Sequence, residues 1–168
     1  MHDFQPYPIE SLEFDPFTQF RNKWGAITAG ADGKVNTMTA SWGCVGELWG
    51  KDVGLIFVRD SRYTKEFIDK SDTFSISFFD DRYHAALKYL GQVSGRDEDK
   101  IQSARLHVNY SEDIPFIDEG NFIILCRKIA AVKLTEETFL SKEILPTWYA
   151  DGDFHTMYVG EIIQVLAR

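Results

Sequence analysis

The pattern of apolar and polar positions along the chain predicts six β-strands. Each segment either alternates apolar and polar residues or forms a short apolar run of strand length. The predicted strands span residues 24–30, 35–42, 53–59, 73–79, 121–134 and 154–167. Between the first two lies "ADGK", in which Asp32 and Gly33 both tolerate a positive φ and therefore predict a hairpin turn.

Apolar residues at a four-residue spacing predict two helices between these strands. The first covers Tyr63–Lys70, with Ser61 placed to cap its amino end. The second begins at Asp80-Asp81 and ends at Gly91, a residue type that favours helix ends. A polar loop, residues 92–100, then leads into a short helix.

The first twenty residues differ from the rest of the chain. They carry Pro6, Pro8 and Pro16 and predict an extended arm. Beyond the arm, no repeat, low-complexity run or linker divides the sequence. We therefore expect one domain over residues 1–168, with a mainly β fold: a small barrel decorated by short helices.

Composition and charge narrow the class of protein. Apolar residues make up 44% of the chain and aromatic residues 14%, which is typical of a globular protein. The net charge of −8 argues against a general nucleic-acid or anionic-membrane surface. Two cysteines, Cys44 and Cys126, fit a reducing cytosol better than a disulfide scaffold. The start lacks a secretion signal and no segment has the ~20 apolar residues of a membrane span, so we expect a cytoplasmic protein.

Several common site motifs are absent. No histidine or cysteine pair has the spacing of metal ligands, so we expect no metal site. The sequence holds no G-x-G-x-x-G after a strand, no Walker-type loop and no serine in a nucleophile elbow. Cys44 could be a reactive thiol, but a small packing residue is the simpler interpretation, since no basic partner lies beside it.

Three segments carry groups suited to a ligand with a phosphate tail and a flat ring. "NTMTASW" sets hydroxyl and amide groups beside Met38 and Trp42. In "RDSRYTKEF", Arg62 stands beside the free amides of a helix start, which favour an anion. "SGRDEDK" adds Arg96 and Lys100. Each segment also has a purely structural interpretation: core packing for the first, a solvated helix cap for the second and an exposed loop for the third.

The order of these motifs resembles the flavin reductase-like family of FMN-binding split barrels, and its flavoredoxin-type members above all. "NTMTASWG", "RYTKEF", "FSISFF", "SGRDEDK" and "GDFHTMYVGEI" occur here in the family's order, from Trp24 to the end of the chain. The resemblance implies a six-stranded Greek-key barrel. It also implies a homodimer with FMN held non-covalently near the subunit interface.

The resemblance assigns roles to particular residues. One strand would run along the flavin, a second segment would bind its phosphate, and a loop would close on the cofactor. These are, respectively, Asn36, Met38, Thr39, Ala40, Ser41 and Trp42; Arg62, Tyr63 and Thr64; and Ser94, Gly95, Arg96 and Lys100. His155 matches a histidine that lies near the nicotinamide in some reductases of the family. Its alternative interpretation is a packing or surface residue at a strand edge.

The function implied by the resemblance is FMN-dependent oxidation and reduction. The flavin would be reduced by NADH, by NADPH or by a protein partner, and would pass electrons onward. Two alternatives stay open at this point. One is an electron carrier with tightly bound FMN and little turnover of nicotinamide, and the other is a flavin-binding module without redox activity.

Overall fold

All six segments predicted as strands form strands in the structure, a computed structural model that describes residues 1–168. Four further strands are short. In chain order the ten are β1 (Gln5–Pro6), β2 (Gly25–Ala31), β3 (Lys34–Ala40), β4 (Gly43–Leu48), β5 (Lys51–Arg59), β6 (Thr73–Phe78), β7 (Val108–Ser111), β8 (Ile114–Ile117), β9 (Phe122–Lys133) and β10 (His155–Ala167).

Eight of these strands form one antiparallel sheet. Its order is β3-β2-β6-β9-β10-β5-β4, and β1 pairs with the far end of β10. The β2–β3 turn has the predicted geometry, with φ of 53° at Asp32 and 71° at Gly33. The six-stranded barrel expected from the sequence is thus present, with β1 and β4 added to its sheet.

The sheet curls around one apolar core. A cluster of fifteen buried residues takes side chains from β3 at one end of the strand order and from β5 near the other. Ile27, Ile56, Phe74 and Ile76 are fully buried in it. Strands that are distant in the hydrogen-bonded order therefore share one interior, as expected for a barrel.

The opposite face of β6 is covered by the β7–β8 hairpin. The hydroxyl of Ser75 donates to the carbonyl of Pro115 at 2.7 Å, and that of Ser77 accepts from the amide of Ile117 at 3.2 Å. Both serines are fully buried. The alternation of "TFSISF" therefore distinguishes two buried faces of β6. One faces the apolar core and the other faces the β7–β8 hairpin, and neither is exposed to solvent.

Short helices connect the strands. They are α1 (Tyr63–Lys70), α2 (His84–Gln92), α3 (Lys100–Ser103) and α4 (Ile144–Trp148), with a π-helix over Phe17–Lys23 and 3₁₀ turns at Ile9–Ser11, Asp81–Tyr83 and Glu136–Thr138. The predicted α1 and the short helix after the polar loop are confirmed. None of the helices combines the length and apolar content needed to cross a membrane.

Three local predictions were wrong. The arm is not extended throughout, because Phe17–Lys23 is helical and packs Phe20 into the core. Ser61 does not cap α1; its hydroxyl donates to Asp153 Oδ2 at 2.6 Å, and the cap position belongs to Arg62. At Asp80-Asp81 only a 3₁₀ turn forms, and α2 itself runs from His84 past Gly91 to Gln92.

Candidate functional site

One end of the sheet gathers half of the fourteen predicted site residues around a cavity of about 180 Å³, which we call the donor cavity. The end of β3, the end of β5, the start of α1, the end of α4 and the start of β10 meet there. The lining comprises Met38, Thr39, Ala40, Ser41, Trp42, Phe57, Arg59, Arg62, Trp148 and His155. Seven of these ten residues are among those that the sequence singled out.

The donor cavity has arginines but no carboxylates in its wall. Arg59 is already engaged: it donates to the carbonyls of Asp153 at 2.7 Å and Trp148 at 2.8 Å, and it lies within salt-bridge distance of Asp151. Arg62 donates only to the carbonyl of Gly91, at 2.9 Å. Its guanidinium therefore keeps donors and an unneutralised charge for an anion.

Some of the residues predicted to run along the flavin line the donor cavity, and some also pack against the rest of the protein. Met38 is only 7% exposed and belongs to the main core, so it is both a core residue and part of the wall. The hydroxyl of Thr39 donates to the carbonyl of Leu87 in α2. Ser41 is exposed, and Trp42 packs edge-on against Trp148 with 5.1 Å between ring centroids.

His155 is buried between aromatic rings at the start of β10. Its Nδ1 lies 2.8 Å from the hydroxyl of Tyr149, and its ring centroid lies 4.8 Å from that of Trp42. Burial, with a contribution from the charge of Arg59, lowers the pKa of His155 to about 4. The imidazole is therefore neutral at physiological pH and can still donate or accept one hydrogen bond.

The contact with Tyr149 fits either tautomer of His155, since a protonated phenol can donate to Nδ1 or accept from it. Burial raises the pKa of Tyr149, whose hydroxyl therefore keeps its proton. His155 Nδ1 is the partner that this hydroxyl has in the structure. When Tyr149 donates to Nδ1, the remaining proton of the imidazole lies on Nε2, as a donor in a side chain that lines the donor cavity.

Five of the other seven predicted residues line a second cavity of about 380 Å³ beside α1. It includes Asn36, Tyr63, Gly95, Arg96 and Lys100, together with the carboxylates of residues 97–99. The structure therefore does not bring all the predicted cofactor residues to one place. The donor cavity and this second cavity share no lining residue.

Two of the three cations of the second cavity, Arg96 and Lys100, already have partners within the protein, and the third is Lys34. Arg96 pairs with Glu66 and lies over the ring of Tyr63, 4.7 Å from its centroid. Lys100 is 5% exposed and donates to the carbonyls of Leu90 at 3.0 Å and Val93 at 3.1 Å. Burial, and then the charge of Arg62, lowers the pKa of Lys100 to about 8.

Four of the predicted residues hold the 94–100 loop, β3 and α1 together. Asn36 Nδ2 donates to Thr64 Oγ1 at 2.9 Å, and both side chains are buried. Ser94 Oγ accepts from the amide of Arg96 at 3.2 Å. A side chain at Gly95 would collide with Asn36, so glycine is required there for the loop to approach β3.

Sequence reasoning missed Phe57, Arg59, Trp148 and Tyr149. Phe57 and Arg59 lie in a predicted strand, but no signal marked which of its faces turns toward a ligand. Trp148 and Tyr149 belong to "EILPTWYADGDF". This segment contains a five-residue helix that its proline argued against, because proline is unfavourable inside a helix. Cys44 is exposed on β4 and lines neither cavity.

A larger apolar cavity of about 720 Å³ adjoins the donor cavity, and we call it the aromatic cavity. The two share Ser41, Trp42, Phe57 and Trp148. Ligand pockets usually measure roughly 300–1,000 Å³. The donor cavity alone falls below that range, and a ligand of that size would need both adjoining cavities.

The fold and the donor cavity define a class: a small antiparallel β-barrel protein with one donor-rich, carboxylate-free cavity at the end of its sheet. A family model for the flavin reductase like domain matches residues 19–168, and the chain belongs to this family. No curated protein matches the chain.

Solved structures share the fold at low sequence identity. Flavoredoxin from Methanosarcina acetivorans is 24% identical with a TM-score of 0.70, over 87% of this chain and 68% of that one. An FMN-binding domain of a flavin reductases-like enzyme from Shewanella baltica OS155 is 16% identical, with a TM-score of 0.71 over 98% and 77%. The Streptomyces globisporus NADH:FAD oxidoreductase SgcE6, in complex with NAD and FAD fragments, is 17% identical, with a TM-score of 0.65 over 87% and 74%. These likenesses confirm the split-barrel fold.

Proposed function

We propose that the protein binds FMN non-covalently and is an oxidoreductase. In this proposal the flavin is reduced by hydride from NADH or NADPH, or by electrons from a protein donor, and passes electrons onward. Membership in the flavin reductase like family supports a flavin ligand. The choice of FMN and of a nicotinamide donor is the proposal.

The observation that carries the proposal is the charge of the donor cavity. The chain has a net charge of −8, yet this cavity has no carboxylate in its wall and includes two arginines. Since Arg59 is neutralised by Asp151 and Asp153, Arg62 is the cation left for a ligand. Such a site favours an anion with a flat apolar body, and FMN has both parts.

The apolar walls suit a ring system. Met38 and Phe57 form part of the wall, and Trp42 and Trp148 line both the donor cavity and the aromatic cavity. A bound flavin supplies the ring that accepts hydride or electrons. The protein supplies apolar cover, and backbone and side-chain donors along the Asn36–Trp42 segment, among them the hydroxyl of Ser41.

We assign the phosphate of FMN to the start of α1. Arg62 precedes the first turn of this helix, and the amides of Tyr63 and Thr64 lie in that turn. Unpaired amides and the helix dipole both favour an anion there. The hydroxyl of Thr64 already accepts from Asn36, so we expect this residue to act through its amide.

The loop from Ser94 to Lys100 has an indirect role in this proposal. Arg96 donates to the carbonyl of Ser61 at 3.2 Å and pairs with Glu66, so it supports the start of α1 from the outer side. Gly95 allows the loop to lie against Asn36. Lys100 holds the end of α2, whose Gly91 carbonyl in turn positions Arg62.

His155 is proposed to orient the electron donor rather than to exchange protons. With a pKa of about 4 it stays neutral at physiological pH, which removes it as a general acid. Its Nε2–H can donate to a carbonyl or phosphate oxygen of a nicotinamide cofactor. Removal of this donor should impair reaction with the nicotinamide and leave FMN binding intact.

Two broader features complete the proposal. We propose a homodimer, as the resemblance implies, and an interface close to the flavin site where Trp148 is 50% exposed.

We place the protein in the reducing cytoplasm, because Cys44 and Cys126 are unpaired and Cys44 is exposed. A redox protein could then serve as donor or acceptor.

The test is the visible absorption spectrum of the purified protein, before and after anaerobic mixing with NADH or NADPH. We expect one FMN per chain, retained from expression or restored by added FMN, and loss of the oxidised flavin bands with one of the nicotinamides. FMN that only dithionite reduces would favour the electron carrier. A protein that holds no flavin even with FMN in excess would overturn the proposal.

A further inference from the structure

The two ring nitrogens of His155 have different surroundings. Nδ1 lies 2.8 Å from the hydroxyl of Tyr149, and Nε2 has no hydrogen-bond partner within the protein. Nε2 is not fully enclosed either, because the only fully buried side-chain nitrogen or oxygen without a partner is Asn121 Oδ1. One nitrogen is therefore held by a phenol, and the other is free for a ligand of the donor cavity.

The ring of Tyr149 is fixed by aromatic packing. It is 6% exposed and stacks on Phe154, with 4.9 Å between ring centroids and 16° between planes. Phe139 packs against it at 5.1 Å, and the guanidinium carbon of Arg59 lies 5.4 Å from its centroid. None of these contacts uses the hydroxyl, so a phenylalanine at this position keeps them all.

The backbone on both sides of Tyr149 is anchored as well. Arg59 donates to the carbonyl of Trp148 at 2.8 Å and to that of Asp153 at 2.7 Å. The amide and the hydroxyl of Ser61 donate to the carboxylate of Asp153 at 3.1 Å and 2.6 Å. The position of the Tyr149 hydroxyl relative to His155 is therefore set by the fold of the 148–155 segment against β5 and the start of α1.

Acidity decides the direction of the Tyr149–His155 hydrogen bond. A phenol is a stronger acid than the N–H of a neutral imidazole, and the bare ring nitrogen is a stronger base than a phenol oxygen. Burial raises the pKa of Tyr149, so its hydroxyl keeps the proton that it can donate. If the ring donated instead, the hydroxyl proton would have no acceptor within the protein.

We propose that Tyr149 is a positioning residue for the reaction with the nicotinamide: its hydroxyl donates to His155 Nδ1 and keeps the imidazole proton on Nε2, where it meets the electron donor. This inference rests on the role proposed above for His155 and adds the residue that orients it. Rotation of the imidazole by 180° would place a carbon atom opposite the hydroxyl and lose the hydrogen bond. Trp42, 4.8 Å away, packs near the ring but makes no hydrogen bond with it that would choose between the two orientations.

Nitrogen-15 NMR of the flavin-free protein tests the hydrogen bond itself. The signals of His155 are those that disappear in His155→Gln, and we expect the wild type to carry its proton on Nε2 at pH 7. A hydroxyl that donates to Nδ1 stabilises only the neutral ring, so Tyr149→Phe should raise the pKa of His155 toward its ordinary value of 6.5. A proton on Nδ1 in the wild type, or an unchanged or lower pKa in the variant, would overturn the proposal.

Stopped-flow reduction of the FMN-loaded protein by NADH tests the link to function. Tyr149→Phe should lower kcat/KM about two- to tenfold, the size expected for one neutral hydrogen bond, and leave FMN affinity unchanged. In a His155→Ala background the same change should have no further effect, because Tyr149 acts through His155. An equal loss in both backgrounds would show that Tyr149 acts independently of His155, contrary to the proposal.

Tyr7→Phe is the matched control. The hydroxyl of Tyr7 donates to the carbonyl of Ser11 at 3.0 Å, outside the donor cavity, and its removal should not alter the reduction. A flavin that neither NADH nor NADPH reduces would overturn the function proposed above together with the role of Tyr149 in it. The NMR measurement needs neither flavin nor nicotinamide, so it decides the Tyr149–His155 hydrogen bond in either case.

Discussion

Two arginines of the donor cavity, Arg59 and Arg62, lie three positions apart between β5 and α1 and have different roles. Arg59 ties β5 to the 148–153 segment through two carbonyls and two carboxylates, whereas Arg62 makes one hydrogen bond, to Gly91. The sequence identified Arg62 by its place before a helix. It could not show that Arg59 has carboxylate partners and that Arg62 has none. That difference depends on Asp151 and Asp153, which only the fold brings to Arg59.

Arg62→Ala should weaken FMN much more than riboflavin, which lacks the phosphate. A hydrogen bond to a charged group contributes about 1.5–3 kcal/mol, so the loss for FMN should be roughly 10- to 150-fold. Fluorescence titration of the two flavins measures the difference. Arg82→Ala, an exposed arginine elsewhere, is the control. Equal losses for both flavins would mean that Arg62 acts through folding, and the phosphate assignment would be wrong.

His155→Ala should separate nicotinamide chemistry from flavin binding. Loss of one hydrogen bond of about 1–2 kcal/mol should lower kcat/KM for the reduced nicotinamide roughly five- to thirtyfold. FMN affinity should change little. Stopped-flow reduction of FMN-loaded wild type and variant, over a range of NADH concentrations, gives the comparison. Matching rates at every concentration would remove His155 from the donor site, and loss of FMN would assign it to flavin binding instead.

The buried imidazole also predicts a pH dependence of stability. The pKa of His155 is about 4 in the folded protein and near its ordinary value of 6.5 when unfolded. The unfolded state therefore binds the proton first, and stability falls as pH drops from 6.5 toward 4. Urea unfolding at pH 7 and pH 5 should show wild type losing about 1–2 kcal/mol more than His155→Gln over this interval. Parallel losses would show that other groups dominate.

At the scale of elements, the second cavity shows a lysine in an unexpected position. Lys100 was predicted to face the cofactor, but its ammonium lies on the last carbonyls of α2. A basic residue in "SGRDEDK" suits either role, since a phosphate and a helix carboxyl end both attract a cation. The sequence does not show how close the loop lies to α2, so it does not distinguish a phosphate-binding lysine from one that binds the end of this helix.

Lys100→Met should therefore affect stability more than flavin binding. Removal of the ammonium leaves the carbonyls of Leu90 and Val93 without this donor, and the free energy of unfolding should fall by about 1–3 kcal/mol. The FMN affinity of the folded protein should fall less than in Arg62→Ala. Lys88→Met, on the exposed face of α2, is the control and should alter neither quantity. An FMN loss as large as that of Arg62→Ala would place Lys100 at the phosphate.

The six longer strands were predictable from their pattern, and the four short strands were not. β4 begins directly after Trp42 and contains Gly43, Gly46 and a charged residue, a composition that is unfavourable for a strand. It is a strand because β5 supplies its partner from Gly43 to Leu48. Gly43 also lies so close to the ring of Phe20 that a side chain would collide with it. Both constraints come from long-range packing, which local periodicity does not record.

At the scale of the whole molecule, we expect two copies of the chain to form a homodimer. Phe17, Leu140 and Trp148 are between 50% and 98% exposed, which gives apolar surface for a partner. We expect sedimentation at micromolar concentration to give a dimer, and Trp148→Glu to weaken it because a charge there would lie in the interface. A monomer that keeps one FMN per chain would contradict the prediction.

The position of β10 in the sheet has a consequence for how the chain is made. β10 lies between β5 and β9, yet it follows both in the sequence. While the ribosome is still producing residues before His155, β5 and β9 each present an unpaired edge, and such edges pair readily with other chains. Chaperone protection during synthesis should therefore matter most in the interval before β10 emerges, because no earlier strand can fill the gap it leaves.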